Sequence, residues 1–283
     1  MRLRANAKIN LSLKILGKRP DGYHEIDSIM QSVSLCDYIT LAPLESGIQL
    51  TTNNLRLTTD NRNLAYEAAE VFFSAKGQDF DELSRVGARV KGIKIYLEKN
   101  IPLAAGLAGG STDAAAVLYG LNQLSAVGDR LSAFELQKLG AEIGSDVPFC
   151  LTGGNCTVTG RGEFVKSNPI NVKRDFVLVV PEVEVSTKWA YEAWDSKQAT
   201  GNRQLATQND LEAVVIEKYP VIQKIKDRLI ELGCSYAQMS GSGPSVFGIV
   251  NLNETGNTVY AQMKNEYPRT FLVRSADRGV EEG

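Results

Sequence analysis

The sequence is short of the residues that signal metal or thiol chemistry. It has one histidine, His24, and four cysteines, Cys36, Cys150, Cys156 and Cys234, with no Cys-x-x-Cys pair among them. Scattered cysteines of this kind read as reduced, mostly buried thiols in a cytoplasm. Charge of one sign is also lacking: 31 Lys and Arg stand against 33 Asp and Glu, a net charge of −2, with no basic block. That argues against nonspecific nucleic-acid binding. No apolar run approaches the length of a membrane span. Met1-Arg2-Leu3-Arg4 leads into alternating residues, which is not a signal peptide. Several nucleotide motifs are missing too. There is no Gly-x-x-x-x-Gly-Lys-Ser/Thr and no protein-kinase set. The dinucleotide fingerprint Gly-x-Gly-x-x-Gly does not follow the first strand.

What the chain does have is the run Pro102-Leu103-Ala104-Ala105-Gly106-Leu107-Ala108-Gly109-Gly110-Ser111-Thr112-Asp113-Ala114-Ala115-Ala116. Small residues and three glycines lead into an alanine-rich segment with helical character. Glycines let backbone N–H groups turn inward, and a helix start adds unpaired N–H donors and the positive end of its dipole. The product is a cradle for an anion, and the phosphates of a nucleotide are the expected occupant. Ser111 and Thr112 place hydroxyls at its mouth. The alanines at 104, 105 and 108 are expected in ordinary backbone regions, because alanine takes a positive φ poorly.

The 283 residues, 43% hydrophobic, suffice for two ordinary domains. Leu3, Ala5, Ala7, Ile9, Leu11, Leu13 and Ile15 alternate as a strand with one apolar face. Arg4, Asn6, Lys8, Asn10 and Ser12 share the other. A turn at Gly17–Gly22 and strands near Ile39 and Ile48 follow. A helix after Asn61 or Asn63 comes next, then a strand at Ile93–Leu97 feeding the loop. The pattern predicts a helix from about Ser111 to Leu124 and one opened by a Ser132–Glu135 capping box and closed by Gly144. A strand covers Asn155–Thr159, and Phe176–Val180 is a buried strand. Ser186 caps a helix bearing Trp189, Tyr191 and Trp194, both tryptophans reading as packing residues. Lys197–Gln208 reads as a surface loop. Helices at Asp210–Glu217 and Val221–Leu232, strands at Tyr236–Met239 and Ser245–Val250, a helix near Thr255–Glu266 and a strand at Thr270–Arg274 complete a split-βαβ order.

Three segments together suit phosphoryl transfer to an alcohol, which needs a bound phosphate, a neutralising cation and a base at the hydroxyl. The loop binds the phosphate, Lys8 on the first strand supplies the cation, and Asp146 in Gly144-Ser145-Asp146-Val147-Pro148 supplies the carboxylate. Alone, each has an ordinary reading: Lys8 on a solvated face, Asp146 as a turn or cap residue. With the late run Met239-Ser240-Gly241-Ser242-Gly243-Pro244-Ser245-Val246-Phe247, and in this order along the chain, they resemble the GHMP small-molecule kinases.

The resemblance implies a two-domain α+β fold. A ribosomal S5-domain-2-like N-terminal domain (1–154) would bind ATP and carry catalysis, and a ferredoxin-like C-terminal domain (155–283) would hold substrate. ATP and Mg²⁺ are the implied cofactors, the ion held by phosphates and not by a carboxylate cage. Asp146 becomes the base and Lys8 its partner. Pro102 through Thr112 lie on the ATP phosphates, and Asn63 and Lys99 resemble residues lining the adenine pocket. Arg19-Pro20-Asp21-Gly22-Tyr23-His24 narrows the family, since mevalonate and homoserine kinases do not share it. It implies phosphorylation of the 2-hydroxyl of a cytidyl diphosphate sugar-alcohol in non-mevalonate isoprenoid synthesis. Tyr23 and Tyr191 would sandwich the cytosine, with His24 at its edge. A lone histidine after a turn is otherwise structural. Asn10, Thr187, Gly241 and Ser242 resemble substrate contacts. The implied partner is a small molecule alone, without nucleic acid or membrane, for a monomer or weak homodimer. The rival readings are a kinase of the same family for another alcohol such as mevalonate, and a silent nucleotide sensor.

Overall fold

The alternation that begins at Leu3 forms β1 (Arg2–Lys18), and a turn in which Arg19 N–H donates to Tyr23 O reverses the chain into β2 (His24–Leu44). The structure is a computed structural model that describes residues 1–75, 92–169, 172–199, 208–251 and 254–283. β3 (Gly47–Thr52), α1 (Leu64–Ala75) and β4 (Gly92–Glu98) follow, and β4 lies parallel to β3 and antiparallel to β2. Then come α2 (Gly109–Leu124), α3 (Ala133–Ile143), α4 (Val147–Thr152), β5 (Asn155–Gly160) and β6 (Phe164–Ser167). β2 is 21 residues long, so its Tyr38–Leu44 half pairs with β4 while Ile26–Gln31 pairs with β5. With β6 on β5, the first sheet has one outer edge still to be filled.

A second layer begins at β7 (Asp175–Val179) and continues through α5 (Thr187–Ala199), α6 (Glu212–Lys218), α7 (Val221–Glu231), β8 (Tyr236–Met239), β9 (Val246–Val250), α8 (Glu254–Glu266) and β10 (Thr270–Arg274). These strands form an antiparallel sheet in the order β10-β7-β9-β8, the ferredoxin-like arrangement of a split βαβ unit. The chain then returns as β11 (Val280–Glu282) to the free side of β1, completing a seven-stranded first sheet. The architecture is α+β with two sheets.

One strand serves every core. Leu3 and Ala5 pack with α1 and α2, Ala7 and Ile9 pack between the sheets, and Leu13 and Ile15 join the core of the second half. Register shifts in the β1–β2 ladder fall between Asn6 and Lys8 and again between Asn10 and Ser12. Such irregularities bend a strand and re-aim its side chains. Asn6, Lys8 and Asn10 are therefore buried along with their apolar neighbours, which rules out the ordinary reading of Lys8 on a solvated face.

Other differences have local causes. α2 starts at Gly109, two residues before the expected start. α4 is a single short helix with Pro148 near its start, too brief to show a period. β6 and β11 are four and three residues long and carry little alternation. α5 extends through Ala199, into the stretch expected as a loop, and residues 200–207 of that loop lie outside the described residues. Residue 154, expected to divide the chain, immediately precedes β5, which belongs to the first sheet.

Candidate active site

The loop between β4 and α2 is shaped by three residues in the left-handed region: Ala104 (φ 53°), Gly106 (φ 74°) and Ala108 (φ 59°). The expectation of ordinary backbone at Ala104 and Ala108 is thus wrong. Alternating left-handed residues form a backbone nest, whose N–H groups converge on an anion. The loop's carbonyls are engaged on the protein side. Leu107 O accepts from Lys8 N–H, Gly106 O from Ser240 Oγ at 3.3 Å, and Ala105 O from Ser245 Oγ at 2.5 Å. Among the described residues no group accepts from the loop's N–H donors between Leu103 and Ala108, and Pro102 through Ser111 line a cavity of about 780 Å³. A Cβ on Gly106 would sit 2.7 Å from Gly243 O and 2.9 Å from Ser240 O, so only glycine lets the two glycine-rich segments meet.

Beside the loop, Lys8 Nζ donates to Asn10 Oδ1 at 2.7 Å and lies 3.5 Å from Asp146 Oδ2. The Lys8 side chain is 6% exposed and that of Asp146 31%, so the cation is set behind a carboxylate that reaches solvent. Asp146 occupies the N-cap position of α4 but makes no side-chain cap bond, which leaves its oxygens to the cavity. Asn10 is held in turn: its Nδ2 donates to Ser28 Oγ at 2.9 Å and its backbone N–H to Ser240 Oγ at 3.1 Å. Asn209, fully buried, donates to Met239 O and Gly241 O and so fixes the late glycine turn beside Lys8.

The far end of the cavity is aromatic. His24 stacks on Tyr191 with ring centroids 4.7 Å apart, and Trp194 meets the imidazole edge-on at 6.0 Å. Tyr23 is half exposed, with the Arg161 guanidinium 4.9 Å from its ring centre. Burial, with the Asp146 carboxylate adding to it, pushes the Tyr191 phenol well above its ordinary value, so the hydroxyl stays neutral. Thr187 Oγ1 and Ser242 Oγ are 2.9 Å apart and tie α5 to the late glycine turn.

The chain matches the family models for the GHMP kinases N terminal domain over residues 63–154 and the GHMP kinases C terminal domain over residues 192–269. It belongs to the GHMP kinases. Among its relatives, the 4-diphosphocytidyl-2-C-methyl-D-erythritol kinase of Syntrophomonas wolfei is 41% identical, over 96% of this chain and 97% of the relative. The kinase of the same name from Enterococcus faecalis is 40% identical, over 96% and 98%. A crystal structure of 4-(cytidine 5'-diphospho)-2C-methyl-D-erythritol kinase superposes with a TM-score of 0.78 at 29% identity, covering 98% of this chain and all of that one. A homoserine kinase from Cytophaga hutchinsonii shares the fold at a TM-score of 0.73 and 19% identity, with 99% and 96% covered.

Within this GHMP kinase, Lys8, Asn10, Tyr23, His24, Asp146, Thr187, Tyr191, Gly241, Ser242 and the loop from Pro102 to Ser111 line one cavity. Three expected ATP contacts do not. Thr112 is fully buried and its hydroxyl donates to Asn6 O at 2.8 Å, because the first turn of α2 points it into the sheet. Asn63 caps α1, accepting from Ala65 N–H at 3.0 Å and donating to Thr58 O at 2.9 Å. Lys99 has its ammonium 2.5 Å from both Asp37 and Asp113, with all three side chains at most 4% exposed. Burial alone would pull that ammonium down, yet the two carboxylates raise it. Burial pushes Asp113 well above the ordinary carboxylate range despite Lys99. The triad joins the residue after β4 to the N-terminal part of α2 and so braces both ends of the loop.

The sequence reading missed Lys18, Arg161, Lys188, Glu192 and Asp195, all on the cavity wall. A signal was present for one of them. Thr187, Tyr191 and Asp195 recur every fourth residue, which places them on one helical face. Trp194, expected only to pack, also reaches His24.

Proposed function

We propose that this chain transfers the γ-phosphate of ATP to the 2-hydroxyl of 4-diphosphocytidyl-2-C-methyl-D-erythritol. The observation that carries the reading is a single cavity holding the Lys8–Asp146 pair and the anion nest at one end, with the His24–Tyr191 ring pair at the other. Such a site can grip a base remote from the hydroxyl that reacts. The names of relatives about 40% identical over nearly the whole chain support the same substrate. Tyr23 and Tyr191 offer ring faces to the cytosine, and stacking recognises a base at little side-chain entropy. Arg161 and Lys188 supply cations for the diphosphate. Asn10, Thr187, Gly241 and Ser242 line the path between the two ends.

In the reaction the substrate oxygen attacks the γ-phosphorus, the bond from that phosphorus to the β–γ bridging oxygen breaks, and ADP leaves. Asp146 Oδ2 takes the hydroxyl proton, and Lys8 beside it holds the carboxylate in place and offsets negative charge as the oxygen becomes nucleophilic. The nest N–H groups and the first turn of α2 receive the charge spread over the phosphates. Among the described residues no cluster of three His, Cys, Asp or Glu surrounds a metal position, whereas the Ser111 hydroxyl stands at the helix start beside the nest. That single oxygen fits Mg²⁺ carried in by the phosphates, where the ion would neutralise their charge. ADP release should be measured with the cytidyl substrate, mevalonate and homoserine in parallel. Turnover confined to the cytidyl substrate is expected. A preference for either other alcohol would overturn the substrate assignment, and release with none of them would favour a nucleotide sensor.

A further inference from the structure

The chain's one histidine has a fixed partner to which the reaction above gives no role. His24 Nε2 lies 2.7 Å from Asp195 Oδ1, and Asp195 Oδ2 accepts from Lys18 Nζ at 2.7 Å. The imidazole is 7% exposed, with Tyr191 against its face and Trp194 at its edge, so the ring has one orientation. Burial pushes the Asp195 carboxyl up, but the hydrogen bonds from Lys18 and His24 outweigh it and hold the group below its ordinary value. An ionised carboxylate only accepts. A neutral imidazole carries one proton, and a carboxylate on Nε2 places that proton there. Nδ1 is then a lone-pair acceptor. Among the described residues Nδ1 has no protein partner, nor is it among the sealed, unpaired atoms, and His24 lines the cavity.

We propose that Asp195 is a positioning residue: by holding His24 as the Nε2–H tautomer it makes Nδ1 an acceptor for an amino group, so the cavity selects an aminopyrimidine over its oxo counterpart. The inference rests on the reading that the cytidyl group occupies this end of the cavity. The 4-amino group of cytosine can donate to Nδ1. The O4 of uracil would set one lone pair against another.

Asp195→Asn keeps the shape and reverses the sense. The Lys18 ammonium can only donate, so the amide oxygen turns to Lys18 and the NH₂ to His24 Nε2, which moves the imidazole proton to Nδ1. Because the chain has one histidine, ¹⁵N NMR reads its tautomer without assignment ambiguity. The wild type should show Nε2–H and the variant Nδ1–H. The ratio of kcat/KM for the cytidyl substrate over its uridyl counterpart should fall roughly ten- to a hundredfold, the range for leaving a buried polar group unpaired. Uridyl turnover should rise in absolute terms while KM for ATP stays constant. Asp195→Ala, which removes the partner without reversing it, should lower the ratio without that rise. An Nδ1–H tautomer in the wild type would overturn the proposal, as would an unchanged ratio in a variant whose tautomer has reversed. A wild type inactive on the cytidyl substrate would sink the functional reading instead, and the tautomer measurement decides the role of Asp195 without any substrate.

Discussion

Lys8 lies on the polar side of an alternating strand, where a sequence pattern places it in solvent, yet it is 4% exposed. A buried ammonium requires partners, and it has two, Asn10 and Asp146. Its position explains why Asp146 is suited to act on a proton. The carboxylate is the most exposed member of the trio, and its geometry does not depend on a capping bond. Asp146→Asn preserves that shape but cannot accept a proton. It should lower kcat by roughly 10²–10⁴-fold with the dissociation constant for the cytidyl substrate little changed. Steady-state ADP release and equilibrium titration of the same variant check both halves, and near wild-type turnover would remove Asp146 as the base.

At the scale of elements, the nest before α2 is held in shape by a second loop. Ser240 and Ser245 reach the carbonyls of Gly106 and Ala105, and Gly106 is in contact range of the Gly243 carbonyl. The late glycine run therefore supports the nest from behind, besides lining the cavity through Gly241 and Ser242. Gly106→Ala would impose a left-handed alanine, about 1–2 kcal/mol by itself, and drive its methyl into two carbonyl oxygens. We expect KM for ATP to rise by roughly tenfold or more, on the scale of about 1.4 kcal/mol per decade, together with a lower Tm. Differential scanning fluorimetry with and without ATP tests this. A variant with an unchanged Tm and an unchanged response to ATP would show that the close approach is dispensable.

At the scale of the whole molecule, the C-terminal return ties the second half back to the site. β11 pairs with β1 from Leu3 to Ala5, Gly279 O accepts from Asn6 N–H at 2.8 Å, and Arg278 O accepts from Asn6 Nδ2 at 2.9 Å. Asn6 O accepts from Thr112 in α2, so the tail, the first strand and the helix that follows the nest share one residue. Deleting residues 276–283 should therefore lower Tm and weaken ATP binding together, although no deleted residue lines the cavity. Thermal melts and ATP titration of the shortened chain measure both. Loss of stability with unchanged ATP affinity would confine the tail to a packing role.

Much of this was legible along the chain, because it depends on neighbours in sequence. The alternation of β1, the capping box at Ser132 and Glu135, and the small residues before α2 are local and were read correctly as elements. Lys8 and Asp146 have ordinary readings alone, and only their order along the chain with the glycine loop, like that of the GHMP kinases, singled them out. Contacts between distant segments were not legible. The burial of Lys8, the left-handed alanines at 104 and 108, and the turning of Thr112 and Lys99 away from the cavity are set by segments up to 140 positions apart, as in the Ser245–Ala105 bond. The same holds for Asp195, which meets His24 across 171 positions of chain. Local pattern fixes which backbone a segment can form. Which polar atoms are left free for chemistry is decided when the two sheets meet, since a buried polar group must take whatever partner the fold brings to it.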